Sequence, residues 1–282
     1  MSFTTLVTPE EVFAHLDDPG WVILDCRFSL ADAEHGRREY EQAHVPGAGY
    51  AHLEEDLSGP IIPGTTGRHP LPAAADLAGT LGAWGIDGRV QVVAYDDMGG
   101  AMAGRLWWML GWVGHDAGAL LDGGWQRWCA EGRPVTAEVA ARPPRVFTAA
   151  PRPERLVPAA DVLGGLGDAS APLIDARAGE RYRGEVEPLD PVAGHIPGAV
   201  CAAFEENLTP DGTFKSREEL RQRFRAILGD TPAEQSVSYC GSGVTACHNL
   251  LAMEHAGLGG GRLYAGSWSH WVTDPDRPVE RG

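Results

Sequence analysis

No run in this chain approaches the roughly 20 consecutive apolar residues that a bilayer span needs, so a membrane segment is not expected. Positive charge is scarce. Lys and Arg total 23 against 39 Asp and Glu, a formal net charge of −16, and the basic residues are almost all arginine. Such a chain has no electrostatic footprint for phosphate backbones or anionic lipid, which excludes nucleic acids and membrane surfaces as expected partners. An anionic substrate would have to be held against the global field by a local cluster of arginines and backbone N–H groups. Cysteine is sparse as well: five residues (26, 129, 201, 240 and 247), an odd number, scattered and without a paired CxxC spacing. That argues against both a disulfide framework and a zinc site. The opening Met-Ser-Phe-Thr-Thr-Leu-Val-Thr-Pro lacks a basic n-region and a long apolar h-region, so no signal peptide is read. The expectation is a reduced, cytoplasmic protein with most thiols in the core.

What is present is globular. The apolar fraction is 43% and the charged fraction 22%, and 282 residues suit two ordinary domains. The chain repeats itself. Val-Ile-Leu-Asp25-Cys-Arg27 matches Pro-Leu-Ile-Asp175-Ala-Arg177, and His44-Val-Pro-Gly-Ala48 matches His195-Ile-Pro-Gly-Ala199. Gln-Val-Val-Ala-Tyr-Asp96 matches Ser-Val-Ser-Tyr-Cys240, and Leu121-Asp-Gly-Gly-Trp125-Gln-Arg-Trp128 matches Tyr264-Ala-Gly-Ser-Trp268-Ser-His-Trp271. A period this long, in unchanged order, means duplicated domains. The segments Arg142-Pro-Pro-Arg145 and Pro151-Arg-Pro153 lack periodicity and read as a linker. The expected division is therefore 1–140, a linker over 141–157, and 158–282.

Within each half, short apolar runs alternate with helical patterns. Val22–Leu24, Val90–Tyr95, Leu173–Ile174 and Val237–Tyr239 read as buried strands. Pro9–Leu16, Ala73–Trp84, Arg217–Leu228 and Val244–His255 read as helices, with Thr8 and Ser216 as N-caps that each have Glu three residues on. The fold class is α/β, each domain a mainly parallel sheet flanked by helices. Ligands of such sheets sit beyond the carboxyl ends of the strands, and Tyr239-Cys240 is such an end.

A duplication carries its own control: residues in both halves serve the fold, and residues in one half are candidates for chemistry. The shared set is Asp25/Asp175, Arg27/Arg177, His44/His195 and the tryptophan pairs. These read as structural ion pairs, turn histidines and core anchors. Cys240 belongs to one half only, because the first half has Asp96 at the matching position. A buried strand ends at Cys240, Gly241 and Gly243 allow a tight turn, and a helix follows. Inward-pointing N–H groups and a helix N-terminus stabilise an anion, so the thiolate is the expected nucleophile. Cys247, Cys26 and Cys201 read as core thiols, and Cys129 is uninformative. A Cys-x5-Arg phosphatase site is disfavoured because the sixth residue after Cys240 is Ala246.

Cys240-Gly-Ser-Gly-Val-Thr-Ala246 resembles the active-site loop of 3-mercaptopyruvate sulfurtransferases in the tandem-rhodanese family. The resemblance extends over nearly the whole chain through the two His-x-Pro-Gly-Ala motifs, Glu180-Arg181-Tyr182-Arg183-Gly184 and the closing Tyr264-x-Gly-Ser-Trp268. It implies two rhodanese domains, an inactive N-terminal copy, and a site in the cleft between them. Carried over by residue, Cys240 is the nucleophile, Ser242 the loop serine beside the sulfur, and His69, in Arg68-His69-Pro-Leu-Pro72, the histidine facing the loop. Glu54 is the acidic partner of that histidine. For His69 and Glu54 the plainer reading is an exposed loop histidine and glutamate. Arg181 is the arginine that grips the donor, with Gly241, Gly243, Val244 and Thr245 lining the donor site. The family's second arginine is missing from Glu185–Gly194, unless Arg183 turns inward to replace it. Thiosulfate-specific relatives carry Arg and Lys after the catalytic cysteine, where this chain has Gly241 and Ser242. The resemblance implies sulfur transfer from 3-mercaptopyruvate to a thiol, thioredoxin or cyanide by a Cys240 persulfide, with thiosulfate as the alternative donor. A non-enzymatic binding module is a distant rival. The sulfur-transfer chemistry implies no metal and no organic cofactor, and the expected state is a monomer.

Overall fold

The computed structural model describes residues 2–168 and 170–282. They form two compact units, and the units do not divide at one point of the chain. The first comprises Met1–Gly59, Pro72–Arg152 and Pro210–Phe214; the second comprises Pro60–Leu71, Pro153–Thr209 and Lys215–Gly282. The stretch read as a linker begins inside the first unit. Arg142 donates to the Trp21 carbonyl, Arg145 N–H to Gly82, and Arg152 N–H to Trp112. The segment 60–71, expected in the first domain, belongs to the second unit, a placement that a repeat comparison does not reveal.

In the first unit a wholly parallel sheet has the order β1-β5-β4-β2-β3, from β1 (Leu6–Val7), β2 (Trp21–Asp25), β3 (Gly49–Tyr50), β4 (Gln91–Tyr95) and β5 (Gly118–Leu121). Every residue of β2 and β4 is buried, as central strands covered on both faces require. Helices α1 (Pro9–Ala14), α2 (His35–Gln42), α3 (Ala74–Ala83), α4 (Ala103–Trp112) and α5 (Gly124–Ala130) complete it. Helix α1 starts at a reciprocal cap, in which the Thr8 hydroxyl accepts from Glu11 N–H and the Glu11 carboxylate accepts from Thr8 N–H.

The second unit repeats the plan with fewer strands. Its parallel order is β7-β6-β8-β9, from β6 (Leu173–Asp175), β7 (Val200–Cys201), β8 (Val237–Tyr239) and β9 (Arg262–Leu263). Leu156 bridges Leu263 where β1 pairs with β5 in the first unit. The helices are α6 (Ala159–Gly164), α7 (Gly179–Tyr182), α8 (Arg217–Leu228), α9 (Ala246–His255) and α10 (Ser267–Trp271). Helix α8 buries Leu220, Phe224 and Leu228 on one stripe, opens with the Ser216–Glu219 capping box and stops at Gly229, whose φ is +57°. Helix α9 begins at Ala246, two residues later than its hydrophobic pattern suggests, because Gly243 takes φ +76° and the chain is still turning there. Among the described residues no helix is long and apolar enough to cross a membrane.

The residues shared by the two halves sit in the same structural roles. Arg27 pairs with Asp25, and Arg177 with Asp175, each at 2.7 Å and each buried. Arg27 also donates to the Ala43 carbonyl and lies over Trp125; Arg177 donates to Gly194 and lies over Trp268. His44 and His195 stack on Tyr40 and Tyr182, and their Nδ1 atoms bond the carbonyls of those same tyrosines. Trp128 and Trp271 are completely buried, one in each core.

At the end of β4, the Asp96 carboxylate is completely buried and accepts four backbone hydrogen bonds at 2.7–2.8 Å, from Met98, Gly100, Met102 and Ala103. A hydrogen bond to a charged group contributes about 1.5–3 kcal/mol, and buried N–H groups left without a partner cost more. Asp96→Ala should therefore lower the stability of the first unit by about 3–5 kcal/mol. Urea unfolding followed by tryptophan fluorescence checks this; an unchanged midpoint would mean that the loop does not need its anion.

Candidate active site

Strand β8 delivers Cys240 to the carboxyl edge of the second sheet, and the turn that follows is held on several sides. Cys240 N–H donates to the Ser267 hydroxyl at 3.1 Å, and the Cys240 carbonyl accepts from Trp268 N–H at 2.9 Å. The Gly241 carbonyl accepts from Ser269 N–H at 2.9 Å. Gly243 is required twice over. Its φ is positive, and a Cβ there would lie 2.2 Å from the Ala265 carbonyl oxygen. Ser267 itself adopts φ +55°, the only non-glycine residue with a positive φ among those described; the matching residue of the first unit is Gly124, also at +55°. Ser267 is completely buried, and its hydroxyl passes on a hydrogen bond to the Tyr264 carbonyl. Strain of this kind persists only where the surroundings over-determine it.

The first unit shows what such a turn is shaped to hold. Trp125 N–H donates to the Asp96 carbonyl at 2.9 Å, as Trp268 does to Cys240, so the two loops are anchored alike. In the first unit the side chain at the head of the loop is a carboxylate surrounded by N–H groups. In the second it is the thiol of Cys240, with Ser242, Val244 and Ala246 at the positions matching Met98, Gly100 and Met102. Cys247 departs from the pattern, since its N–H is turned to the Val244 carbonyl.

Segment 60–71 brings His69 to the loop. His69 Nδ1 lies 2.8 Å from the Ser242 hydroxyl, and both side chains are buried. The histidine is not an exposed loop residue. Glu54 belongs to the first unit, where its side chain is exposed and its N–H donates to His52.

Arg181, on α7, points to the same loop. A Cβ on Gly241 would lie 3.4 Å from its Nη1. Its ion-pair partners are Glu187 at 2.7 Å and Asp190 at 3.4 Å, not the exposed Glu180 or Glu185. Burial pushes the Asp190 carboxyl up from its ordinary value, against the pull of Arg68. Arg183 does not turn inward. Its side chain is 46% exposed and pairs with Glu185 at 2.8 Å, so the expectation that it replaces a second arginine is corrected. Sequence reasoning missed two residues, Ser267 and Arg68. Comparing the halves position by position gives the signal for the first, Ser against Gly124; nothing local marks where the Arg68 side chain goes.

The other thiols lack this setting. Burial, aided by the carboxylates of Asp96, Asp25 and Asp56, raises the Cys26 thiol well above its ordinary value. Burial also raises Cys201 and Cys129. The Cys247 thiol is completely buried and donates to the Gly243 carbonyl. No disulfide joins the five cysteines. A candidate cation cluster, Glu34, His52 and Glu55, offers little, because both ring nitrogens of His52 already bond backbone groups. A cavity of about 730 Å³ in the second unit reaches Leu173 and Val237, the first residues of β6 and β8, at the opposite edge of the sheet from Cys240.

The rhodanese-like domain model matches the chain twice, over residues 8–131 and 158–274. A probable 3-mercaptopyruvate sulfurtransferase of Pseudomonas aeruginosa is 52% identical over all of both chains. The thiosulfate sulfurtransferase of Bos taurus is 37% identical over 97% of this chain and 93% of its own. Among solved structures, 3-mercaptopyruvate sulfurtransferase from Leishmania major superposes with a TM-score of 0.84 at 34% identity, covering 98% of this chain and 75% of that one. The chain belongs to the rhodanese-like family, as a tandem-domain enzyme of the 3-mercaptopyruvate and thiosulfate sulfurtransferase group.

Proposed function

We propose that the second unit carries sulfur as a persulfide on Cys240, taken from 3-mercaptopyruvate and passed to a thiol such as thioredoxin or to cyanide. The observation that carries this reading is the loop itself: a cysteine at the head of a turn whose counterpart in the first unit encloses an anion. The Cys240 thiolate attacks the donor sulfur and an S–S bond forms. The C–S bond breaks, and its electron pair leaves with the carbon as pyruvate enolate, which takes a proton from solvent. With His69 Nδ1 as acceptor, the Ser242 hydroxyl donates to it and receives the proton of the donor thiol on its own oxygen. Loop N–H groups of Ser242, Val244 and Ala246 stabilise the charge on sulfur. An acceptor thiolate then attacks the outer sulfur and returns Cys240 as thiolate. Glu54 as partner of His69 rests on the family pattern alone. We also propose a reducing, cytoplasmic setting, in keeping with the few and scattered cysteines of the sequence.

Incubation with 3-mercaptopyruvate should add one sulfur to Cys240, read by intact mass and peptide mapping. Cys240→Ser should abolish turnover with its melting temperature near wild type. Label on Cys26 or Cys247 with Cys240 unmodified would sink the proposal.

The thiosulfate reading draws on the bovine relative and on Arg181 beside Gly241. A doubly charged donor gains nothing from loop side chains here, since Gly241 and Ser242 carry no charge. In parallel steady-state assays 3-mercaptopyruvate should therefore give the higher kcat/KM. If thiosulfate wins, the enzyme is to be reassigned as a thiosulfate sulfurtransferase.

Ser267 is a positioning residue. Ser267→Gly removes the hydroxyl that holds Cys240 N–H but relieves the positive φ, so stability should hold or rise. Loss of one well-placed hydrogen bond should lower kcat and the rate of Cys240 alkylation about tenfold. Wild-type values for both at unchanged stability would remove Ser267 from the positioning set.

A further inference from the structure

At the amino edges of their sheets the two halves are packed differently. In the first unit three rings meet there. Trp21, the first residue of β2, is buried, stacks on His15 at 4.1 Å and meets Phe3 edge-on at 5.7 Å. Setting Pro9 against Ala159 and Asp25 against Asp175 aligns His15 with Gly165 and Trp21 with Ala171. His15 and Gly165 are the residues that close α1 and α6. The second unit thus lacks both the indole and the imidazole, and its amino edge holds the cavity of about 730 Å³. Gly165 and Ala171 line that cavity, with Val157, Val162, Leu173 and Val237 as an apolar wall. Arg262 stands among them. Strand register sets it against Val237, as Ala119 is set against Val93 in the first unit. Its Nη2 donates to the Gln235 carbonyl at 2.6 Å, but its Nε is buried and has no hydrogen-bond partner among the described residues. Asp161 and Asp168 also line the cavity. Both are exposed, and Asp168 already accepts from the N–H and hydroxyl of Ser170.

We infer that this cavity is a binding site for a small planar aromatic carboxylate, with the ring in the space that Trp21 and His15 fill in the first unit and the carboxylate on Arg262. Small-molecule pockets run to roughly 300–1,000 Å³ and are mostly apolar with a few placed polar groups, which describes this one. A guanidinium pairs with a carboxylate through parallel hydrogen bonds and also stacks on aromatic faces. Charge decides the class. A neutral ring leaves the buried Nε without the acceptor that buried donors need. A cation is opposed by Arg262 and finds only carboxylates that water and salt screen. Cys240 lies beyond the other end of β8, so the site is separate from the sulfur chemistry and does not rest on that reading.

Calorimetric titration of the whole chain tests this. The probe is indole-3-acetate, which carries the missing indole and one carboxylate. It should saturate with a Kd on the order of 100 µM, and neutral indole should bind about tenfold more weakly. Arg262→Gln should bring indole-3-acetate down to the affinity of indole and leave indole within about twofold. Ala171→Trp restores the side chain of the first unit and should weaken both probes by about tenfold or more. Alkylation of Cys240 should leave both affinities unchanged, and alkylation at the wild-type rate in each variant shows that its second unit is folded. No saturation up to about 5 mM indole-3-acetate would remove the site. Binding lost on alkylation would move the probe to the Cys240 loop and overturn the inference in the same way. Tryptamine binding more tightly than indole-3-acetate would make the exposed carboxylates the determinant and overturn the choice of an anion. If Ala171→Trp does not fold, Arg262→Gln still decides: unchanged affinity for indole-3-acetate in that folded variant means that Arg262 does not hold the carboxylate.

Discussion

The turn at the carboxyl end of the central strand imposes the main constraint on both units. A chain that folds back so sharply from a buried strand into a buried helix strands several N–H groups where water cannot reach them, and buried donors need acceptors. The first unit meets that demand with its own sequence, through the two oxygens of Asp96. The second puts a cysteine there, and its turn is held in shape from outside, by Ser267, Trp268, Ser269 and the glycine at 243. The same backbone geometry thus encloses a carboxylate in one half and carries a thiol in the other.

Beneath each turn lies a buried Asp–Arg pair, and its duplication shows why it persists. Taking two charges out of water is costly unless their remaining hydrogen-bonding capacity is met. Here it is met in both halves: the arginine also bonds a backbone carbonyl beside the His-x-Pro-Gly turn and lies on a tryptophan face, and the aspartate also receives the hydroxyl of Tyr95 in the first unit. Strand end, histidine turn and tryptophan helix are tied to one point. The motifs that repeat in the sequence are the parts of that tie.

This explains what was legible in the sequence. Parallel strands buried on both faces, capping boxes at Thr8 and Ser216, and the head of the loop at Cys240 are local patterns, and each appears where the pattern lies. Ser267 was harder, because a serine inside a shared Gly-x-Trp motif signals its role only when set against Gly124, where the first unit can use a glycine for the same positive φ. Arg68 and the membership of 60–71 in the second unit were not legible. They depend on Ser269, Gly266 and Asp190, which stand more than a hundred residues away in sequence. Arg183 misled for the opposite reason: it neighbours Arg181 in sequence, but Glu185 holds it at the surface.

The acidic residues of the stretch 185–194 acquire a meaning that composition hides. An excess of acid is a general feature of a chain of net charge −16. Yet Glu187 and Asp190 are almost fully buried, and each is paired with arginine. They tie Arg177, Arg181 and Arg68 into one chain of alternating charges that begins at Asp175 on the central strand. The carboxylates lower the net charge but fix the guanidinium groups in place, restricting side chains that otherwise carry much rotamer freedom. The guanidinium group of Arg181 beside Gly241 is thereby anchored, through buried ion pairs, to the sheet that carries Cys240.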